Sequence, residues 1–373
     1  MSVRNQHYHI EPQAACPTHL RDPNNTPMKR IPFDIDLVAA SAWGEILQAA
    51  PGAQSLAGIM EALLAPSSTD LVWQASGPGR GTEMRRAFSG MFGRFFARAY
   101  LQLNHGFTWF NPIDGDNYLL SPTWRVRRKP TQKTDMPDWI CAKPGQLAIG
   151  EAKGSNIEGA FPPKGTPAPI KKAGKQIKGV QVEKLITAGA APHWVAKQVK
   201  GWAVMSRWGT ANPPRDPYLY ALDPDTDGEA LSASEKDELE QVVARRHVEL
   251  LAIGLGIVEQ EEIENPEIDS PTLKGRHFAA SSADVPGEFR GMVFSPFGRL
   301  DLDLQQAQAL SAGLPDPRML QFVGIDEKVL KAYLSKGRLA PLAAKRAREK
   351  IVLGTDGLIV APISRLSDGD TIS

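Results

Sequence analysis

Apolar residues recur along this chain with two periods, and the switches between them outline its elements. Leu37, Ala40, Trp43, Ile46 and Leu47 share one helical face, so residues 36–64 are predicted helical with a break at Pro51-Gly52. Met84, Phe88, Met91, Phe95, Tyr100 and Leu103 repeat that spacing from Glu83 to about Leu103, with Thr82 as the predicted N-cap. The period then shortens. Phe107–Phe110, Tyr118–Leu120, Trp124–Arg127, Trp139–Ala142 and Leu147–Ala152 read as strands, the last two joined by a Pro144-Gly145 turn. Helical spacing returns from Lys171 to Ala188, and strands follow at Trp202–Trp208 and Tyr218–Leu222. Asp223–Gly228 is a turn.

The second half opens on a helix from about Ser234 to Ile253 with Gly254 as its stop. Strands are predicted at Leu273–Ala279, Gly291–Phe294 and Gly357–Pro362, and helices at Asp303–Ala312, Glu327–Leu334 and Ala340–Lys350. Residues 1–32 are polar and Pro-rich and read as a flexible arm. The expected organisation is that arm, a domain over 33–222 and an α+β C-terminal domain over 223–373. No internal repeat is present.

Composition narrows the class. Of 373 residues, 42% are hydrophobic and 23% charged, which excludes a wholly disordered chain. Two cysteines, Cys16 and Cys141, exclude a disulfide scaffold or a Cys-rich zinc module and fit a reducing compartment. The first residues lack the apolar core of a signal peptide. The longest apolar stretch, Val248–Val258, is far short of the ~20 residues that span a bilayer. A cytoplasmic protein without a membrane partner is expected.

The net charge of +1 conceals an asymmetry. Arg125–Arg207 holds 16 Lys/Arg against 5 Asp/Glu, while Asp216–Asp303 holds 7 against 20. A basic block attracts phosphate backbones. Within it, Lys171, Lys172, Lys175 and Lys178 recur along one helical stretch near Trp194, Trp202, Arg207 and Trp208, a candidate nucleic-acid surface. The acidic block suggests a different face, or a basic protein partner.

The chemistry concentrates in Met136–Lys153. A Pro144-Gly145 turn pairs Lys143 with Gln146, Ala142 with Leu147 and Ile140 with Ile149, which brings Asp138 opposite Glu151. Alternation puts Lys153 on the face of Glu151. Two carboxylates at ~4 Å repel by about 4 kcal/mol at an effective dielectric of 20. A divalent cation offsets this, and Mg²⁺ is commonly held by one or two carboxylates plus substrate phosphate. Lys153 then stands where it can orient a water or steady developing charge. A second match, Pro315-Asp316 with Asp326-Glu-Lys328, is set aside, because Pro317 disfavours a central strand and Asp326 reads as an N-cap.

This Pro-Asp…Glu-x-Lys arrangement resembles the PD-(D/E)xK nuclease superfamily over about residues 80–222. The resemblance implies a restriction-endonuclease-like α/β fold: a mixed β-sheet core flanked by helices, with a helix before the sheet and the two motif strands adjacent. It implies Asp138 and Glu151 as metal ligands, Lys153 as the catalytic lysine, and Glu83 as a further acidic ligand from the preceding helix. A polar residue on the following helix, Gln176 or Gln181, completes the set; the Gln-x-x-x-Tyr pattern of the RecB-like branch is absent. Mg²⁺, with Mn²⁺ as substitute, is the implied cofactor, and DNA the implied substrate. A bacterial defence or restriction-type effector is the implied setting. Cutting both strands takes two sites, which points to a homodimer. The alternative is a nuclease-like fold kept only for binding nucleic acid or for assembly.

Overall fold

The computed structural model describes residues 3–49, 63–66, 68–74, 77, 81–155, 163–187, 191–264, 271–280, 284–296, 298–316, 319–347 and 350–368. The predicted Pro51-Gly52 break and residues 50–62 of the helix predicted over 36–64 lie outside them. The fold is mixed α/β with several sheets. In chain order its first elements are β1 (Val3–Glu11), β2 (Arg30–Asp34), α1 (Ile35–Ala49), β3 (Val72–Trp73), α2 (Thr82–His105), β4 (Trp109–Pro112), β5 (Asn117–Ser121) and β6 (Trp124–Arg128). There follow β7 (Trp139–Lys143), β8 (Gln146–Ser155), α3 (Ala168–Lys178), β9 (Val180–Ile186), β10 (His193–Gln198), β11 (Lys200–Arg207), β12 (Gly209–Thr210), β13 (Tyr218–Leu222), β14 (Glu229–Ala230) and α4 (Ala233–Leu255).

Two compact units form, Met1–Ile35 with Leu63–Ala244, and Asp36–Ala62 with Arg245–Ser373. The boundary expected at 222/223 is therefore corrected to the middle of α4. The first half of that helix is tied to the first unit, where Glu238 accepts from Trp124 Nε1 at 2.8 Å and Glu240 from the Gly145 N–H at 3.0 Å. From Arg245 onward its partners belong to the second unit. Arg245 donates to the carbonyl of Gly337 at 2.6 Å, and buried His247 lies between Gln48 and Asp356. Gly254 does not stop the helix, which ends at Leu255 before Gly256 at φ 69°.

The first unit is built on a seven-stranded sheet ordered β2-β1-β13-β11-β8-β7-β4. The β8–β11 and β1–β13 pairs are parallel and the rest antiparallel, so the sheet is mixed. Helix α2 lies on one face. Strand β8 presents Ala148, Gly150, Ala152 and Gly154 there, a row of small residues, and the helix comes down onto it at Gly93. A Cβ on Gly93 would fall 2.4 Å from the Gly154 nitrogen, and one on Gly154 would fall 1.5 Å from the Ser89 carbonyl oxygen. Behind this contact Phe92, Phe95, Phe96 and Tyr100 are buried, with Phe92 stacked on Trp208 at 5.2 Å. Gly106, at φ 71°, ends the helix and donates to the Gln102 carbonyl. The N-cap is Gly81 rather than Thr82, which is the first helical residue. Helix α3 covers the opposite face. Its Ile177 packs at Gly201, the neighbour of Ile149 across the parallel pair.

Several expectations are corrected here. Residues 1–32 are no flexible arm over their first part, because β1 is an interior strand. Gln6, Tyr8 and Ile10 alternate into the core, and Gln6 bonds Ser206 Oγ at 3.0 Å and the Arg207 carbonyl at 3.1 Å. The helix expected to reach Ala188 stops at Lys178. Gly179 follows, and Val180 and Val182 then alternate inward as β9. The helix expected over Ala340–Lys350 is absent among the described residues, where Lys345–Arg346 pairs as a short strand.

A second sheet, ordered β14-β10-β9-β6-β5, buries Trp124, Val126 and Val182. Here the charge asymmetry resolves. Lys129 pairs with Asp227, Lys184 with Glu238, Lys197 with Glu229 and Glu235, and Lys200 with Asp223. Arg125 and Arg127 both grip Glu183. The start of the acidic block thus neutralises four lysines of the basic block inside one unit.

The second unit centres on an antiparallel sheet through Gln321–Asp326, Glu288–Ser295 and Arg276–Ala280, over a core of Phe278, Phe289, Val293, Phe322 and Ile359. Asp326 is the N-cap of helix Glu327–Leu334, accepting from the Lys328 N–H at 2.8 Å. Among the described residues no helix is long and apolar enough to cross a membrane.

Candidate active site at the hairpin edge

Strands β7 and β8 pair as the turn predicts: Lys143 with Gln146, Ala142 with Leu147, Ile140 with Ile149. Gly145 takes φ 74°, a conformation glycine adopts without strain. One step beyond the last pair, Trp139 with Gly150, the chain brings Asp138 beside Glu151. Two crossed hydrogen bonds join them. The Asp138 N–H donates to Glu151 Oε2 at 3.0 Å, and the Ala152 N–H donates to Asp138 Oδ2 at 2.7 Å. The other oxygen of each carboxylate faces a cation. Asp138 Oδ1 pairs with Arg94 Nη1, and Glu151 Oε1 pairs with Lys153 Nζ.

Burial is graded across the cluster. The Glu151 side chain is 3% exposed, Asp138 16%, Lys153 22% and Arg94 31%. Glu151 forms the floor and the two cations stand nearer solvent. Burial, followed by the neighbouring Asp138 charge, pushes the Glu151 carboxyl up to about 8, against the opposing pull of Lys153. A carboxyl with a raised folded value contributes stability that is present below its unfolded value near 4.5 and lost as pH rises through about 8. In chelator, wild type is therefore expected to melt progressively lower from pH 5 to pH 9, and Glu151→Gln to lose less across the same range. Differential scanning fluorimetry reads both; identical pH profiles would refute this electrostatic reading of Glu151.

The structure distributes the other candidates unevenly. Gln176 is buried on α3 and donates through Nε2 to the Met136 carbonyl at 3.4 Å, so it steadies the segment entering Asp138. Gln181 is on strand β9, opposite Arg127, not on the helix. Glu83 is exposed in the first turn of α2. It lies eleven residues before Arg94, about 16 Å along the axis from the turn that reaches the site. The expected third ligand is thus displaced: the helix crosses the strand at Gly93, and the residue it delivers is Arg94. Sequence reasoning missed Arg94, whose guanidinium also lies over the Trp139 ring at 5.0 Å.

Lys171, Lys172, Lys175 and Lys178 are exposed along α3, while Ile170, Ala173, Gln176 and Ile177 face inward. Lys172 pairs with Asp135 at 3.0 Å. Arg207 does not join them, which corrects its assignment to a nucleic-acid surface. It is buried, donates to the Asp216 carbonyl at 2.7 Å and stacks over Tyr218 at 4.1 Å. Trp202 and Trp208 are core residues, and Trp194 stacks on Arg125 at 4.0 Å.

Among the described residues no group of three or more His, Cys, Asp or Glu is arranged to hold a metal. The donor set here is two carboxylates. That number suffices for Mg²⁺, which keeps several waters and takes substrate phosphate oxygens as further ligands. A buried carboxylate beside a second one, as Glu151 is beside Asp138, is the kind of group such a cation relieves. Comparison with protein-family models, curated proteins and solved structures finds no match to this chain.

Proposed function

We propose that the first unit is a Mg²⁺-dependent phosphodiesterase cutting DNA on a PD-(D/E)xK, restriction-endonuclease-like core. The observation that carries this reading is the Asp138–Glu151 pair, cross-bonded through backbone N–H groups, with Lys153 two residues on. The order of elements supports it too: helix α2 precedes a mixed sheet, and the motif strands β7 and β8 are neighbours.

Asp138 and Glu151 would hold the cation through the oxygens that now face Arg94 and Lys153. Bound there, Mg²⁺ would polarise a phosphoryl oxygen and acidify an attacking water. Lys153, released from Glu151, donates to that water or to charge building on the phosphorus oxygens. Gln176 keeps the Met136 carbonyl, and with it the approach to Asp138, in place. The lysines of α3 line the helix that covers this face and would take neighbouring phosphates. A defence or restriction role and a homodimer that cuts both strands extend the same proposal.

The test is cleavage of plasmid, linear duplex, single-stranded and branched DNA with Mg²⁺ or Mn²⁺. Wild type is expected to cut at least one of these, and inertness on all four would refute the reading. Replacing Lys171, Lys175 and Lys178 together with alanine is expected to weaken DNA binding without sequence bias. The slope of log affinity against log salt should flatten by about 0.9 for each phosphate that the variant no longer neutralises. An unchanged slope would remove α3 from the interface.

A further inference from the structure

We infer that Arg94 is a built-in occupant of the cation position, and that its departure from Asp138 couples metal binding to binding of a substrate phosphate. This rests on the carboxylate pair being a metal site. Asp138 divides its two oxygens: Oδ2 is committed to the Ala152 N–H at 2.7 Å, and Oδ1 is paired with Arg94 Nη1. The oxygen available to a divalent cation is thus the one the guanidinium holds. A guanidinium carries a permanent charge, so no change of pH within the working range vacates the position. A +2 ion arriving at Oδ1 meets a +1 group already seated there and must displace it.

The arginine stands on the solvent side of the cluster. It lies over the Trp139 ring at 5.0 Å, and its side chain is 31% exposed. Gly93, the adjacent residue, is packed against Lys153 and Gly154, so the helix turn that carries Arg94 is anchored to the reactive strand. Release is a side-chain movement on a fixed backbone. A phosphodiester is the chemistry that draws the fork away, because its two non-bridging oxygens match the paired N–H donors of a guanidinium. Metal without substrate has to evict Arg94 uncompensated; metal with substrate does not. Arg94 is accordingly a positioning residue that holds metal affinity down until a phosphate is present.

The experiment is a calorimetric Mn²⁺ titration of the full chain without DNA, comparing wild type, Arg94→Gln and Arg94→Gln/Asp138→Asn, each checked for an intact melting transition. Arg94→Gln is expected to bind Mn²⁺ about tenfold tighter than wild type, the equivalent of about 1.4 kcal/mol. The double variant is expected to lose that binding. Arg94→Lys keeps the charge and is expected to stay within about twofold of wild type; a tenfold gain in Arg94→Lys would contradict an electrostatic plug. Equal affinity in wild type and Arg94→Gln overturns the inference and leaves the metal site standing. Absence of Mn²⁺ binding in both overturns the inference and the metal site together. An Arg94→Gln protein that cuts faster at low Mg²⁺ and slower at saturating Mg²⁺ adds support, since a merely structural arginine would slow both.

Discussion

Lys153→Ala is expected to cut DNA between about 10² and 10⁴ times more slowly than wild type while still binding Mn²⁺. The lysine is not a ligand; it pairs with the buried Glu151 across two residues of one strand, and alternation keeps both on the face covered by α3. Removing it takes away a donor at the reacting phosphate and leaves both carboxylates in place. The loss should therefore fall on the rate constant at saturating DNA and metal, with little change in half-saturation for DNA. Single-turnover kinetics with a Mn²⁺ titration separates the two. A variant that cuts as well as wild type, or one that loses metal along with activity, would remove Lys153 from the role given to it.

Gly154→Ala is expected to cost about 3 kcal/mol or more, which lowers the melting temperature by about 6–12 °C in a domain of this size. The added Cβ would fall 1.5 Å from the Ser89 carbonyl oxygen, helix backbone that cannot rotate aside as a side chain would. Relief requires α2 to lift from β8, which also breaks the packing at Gly93 and carries Arg94 away from Asp138. Gly90, one helical position after Ser89, supplies the control. A Cβ there meets nothing within 4 Å, so Gly90→Ala is expected to be stabilising by about 0.5–1 kcal/mol, as helix propensity dictates. Equal melting temperatures for the two variants would contradict the described crossing.

These variants mark what the sequence discloses and what it withholds. The hairpin register was legible because a Pro-Gly turn leaves few ways to pair two flanking strands, and that alone juxtaposes Asp138 and Glu151. The helix before them was legible too, from its apolar spacing. Its height on the sheet was not. Which turn meets the hairpin depends on where two backbones can touch, and Gly93 and Gly154 are far apart in the chain. Glu83 therefore has the look of an acidic partner, while nothing in the sequence singles out Arg94. Strand β1 was hidden by its polarity. Its inward positions are Gln6, Tyr8 and Ile10, and the glutamine's Nε2 donates to Ser206 Oγ and the Arg207 carbonyl, two hundred residues away. Charge counts misled for a related reason. Lys129, Lys184, Lys197 and Lys200 find carboxylates between Asp223 and Glu238, and Arg207 is sealed against Tyr218. Of the basic block, the exposed row on α3 is what a helical period can identify, since its apolar residues turn inward at the complementary positions.

The central claim is that Asp138 and Glu151 jointly grip a divalent ion. Anomalous scattering from crystals grown with Mn²⁺ and a short duplex tests it most directly. The predicted result is a manganese peak bonded to an oxygen of each carboxylate, with Arg94 withdrawn from Asp138 and Lys153 from Glu151. Both ion pairs intact, with manganese elsewhere or nowhere at saturating concentration, would contradict it.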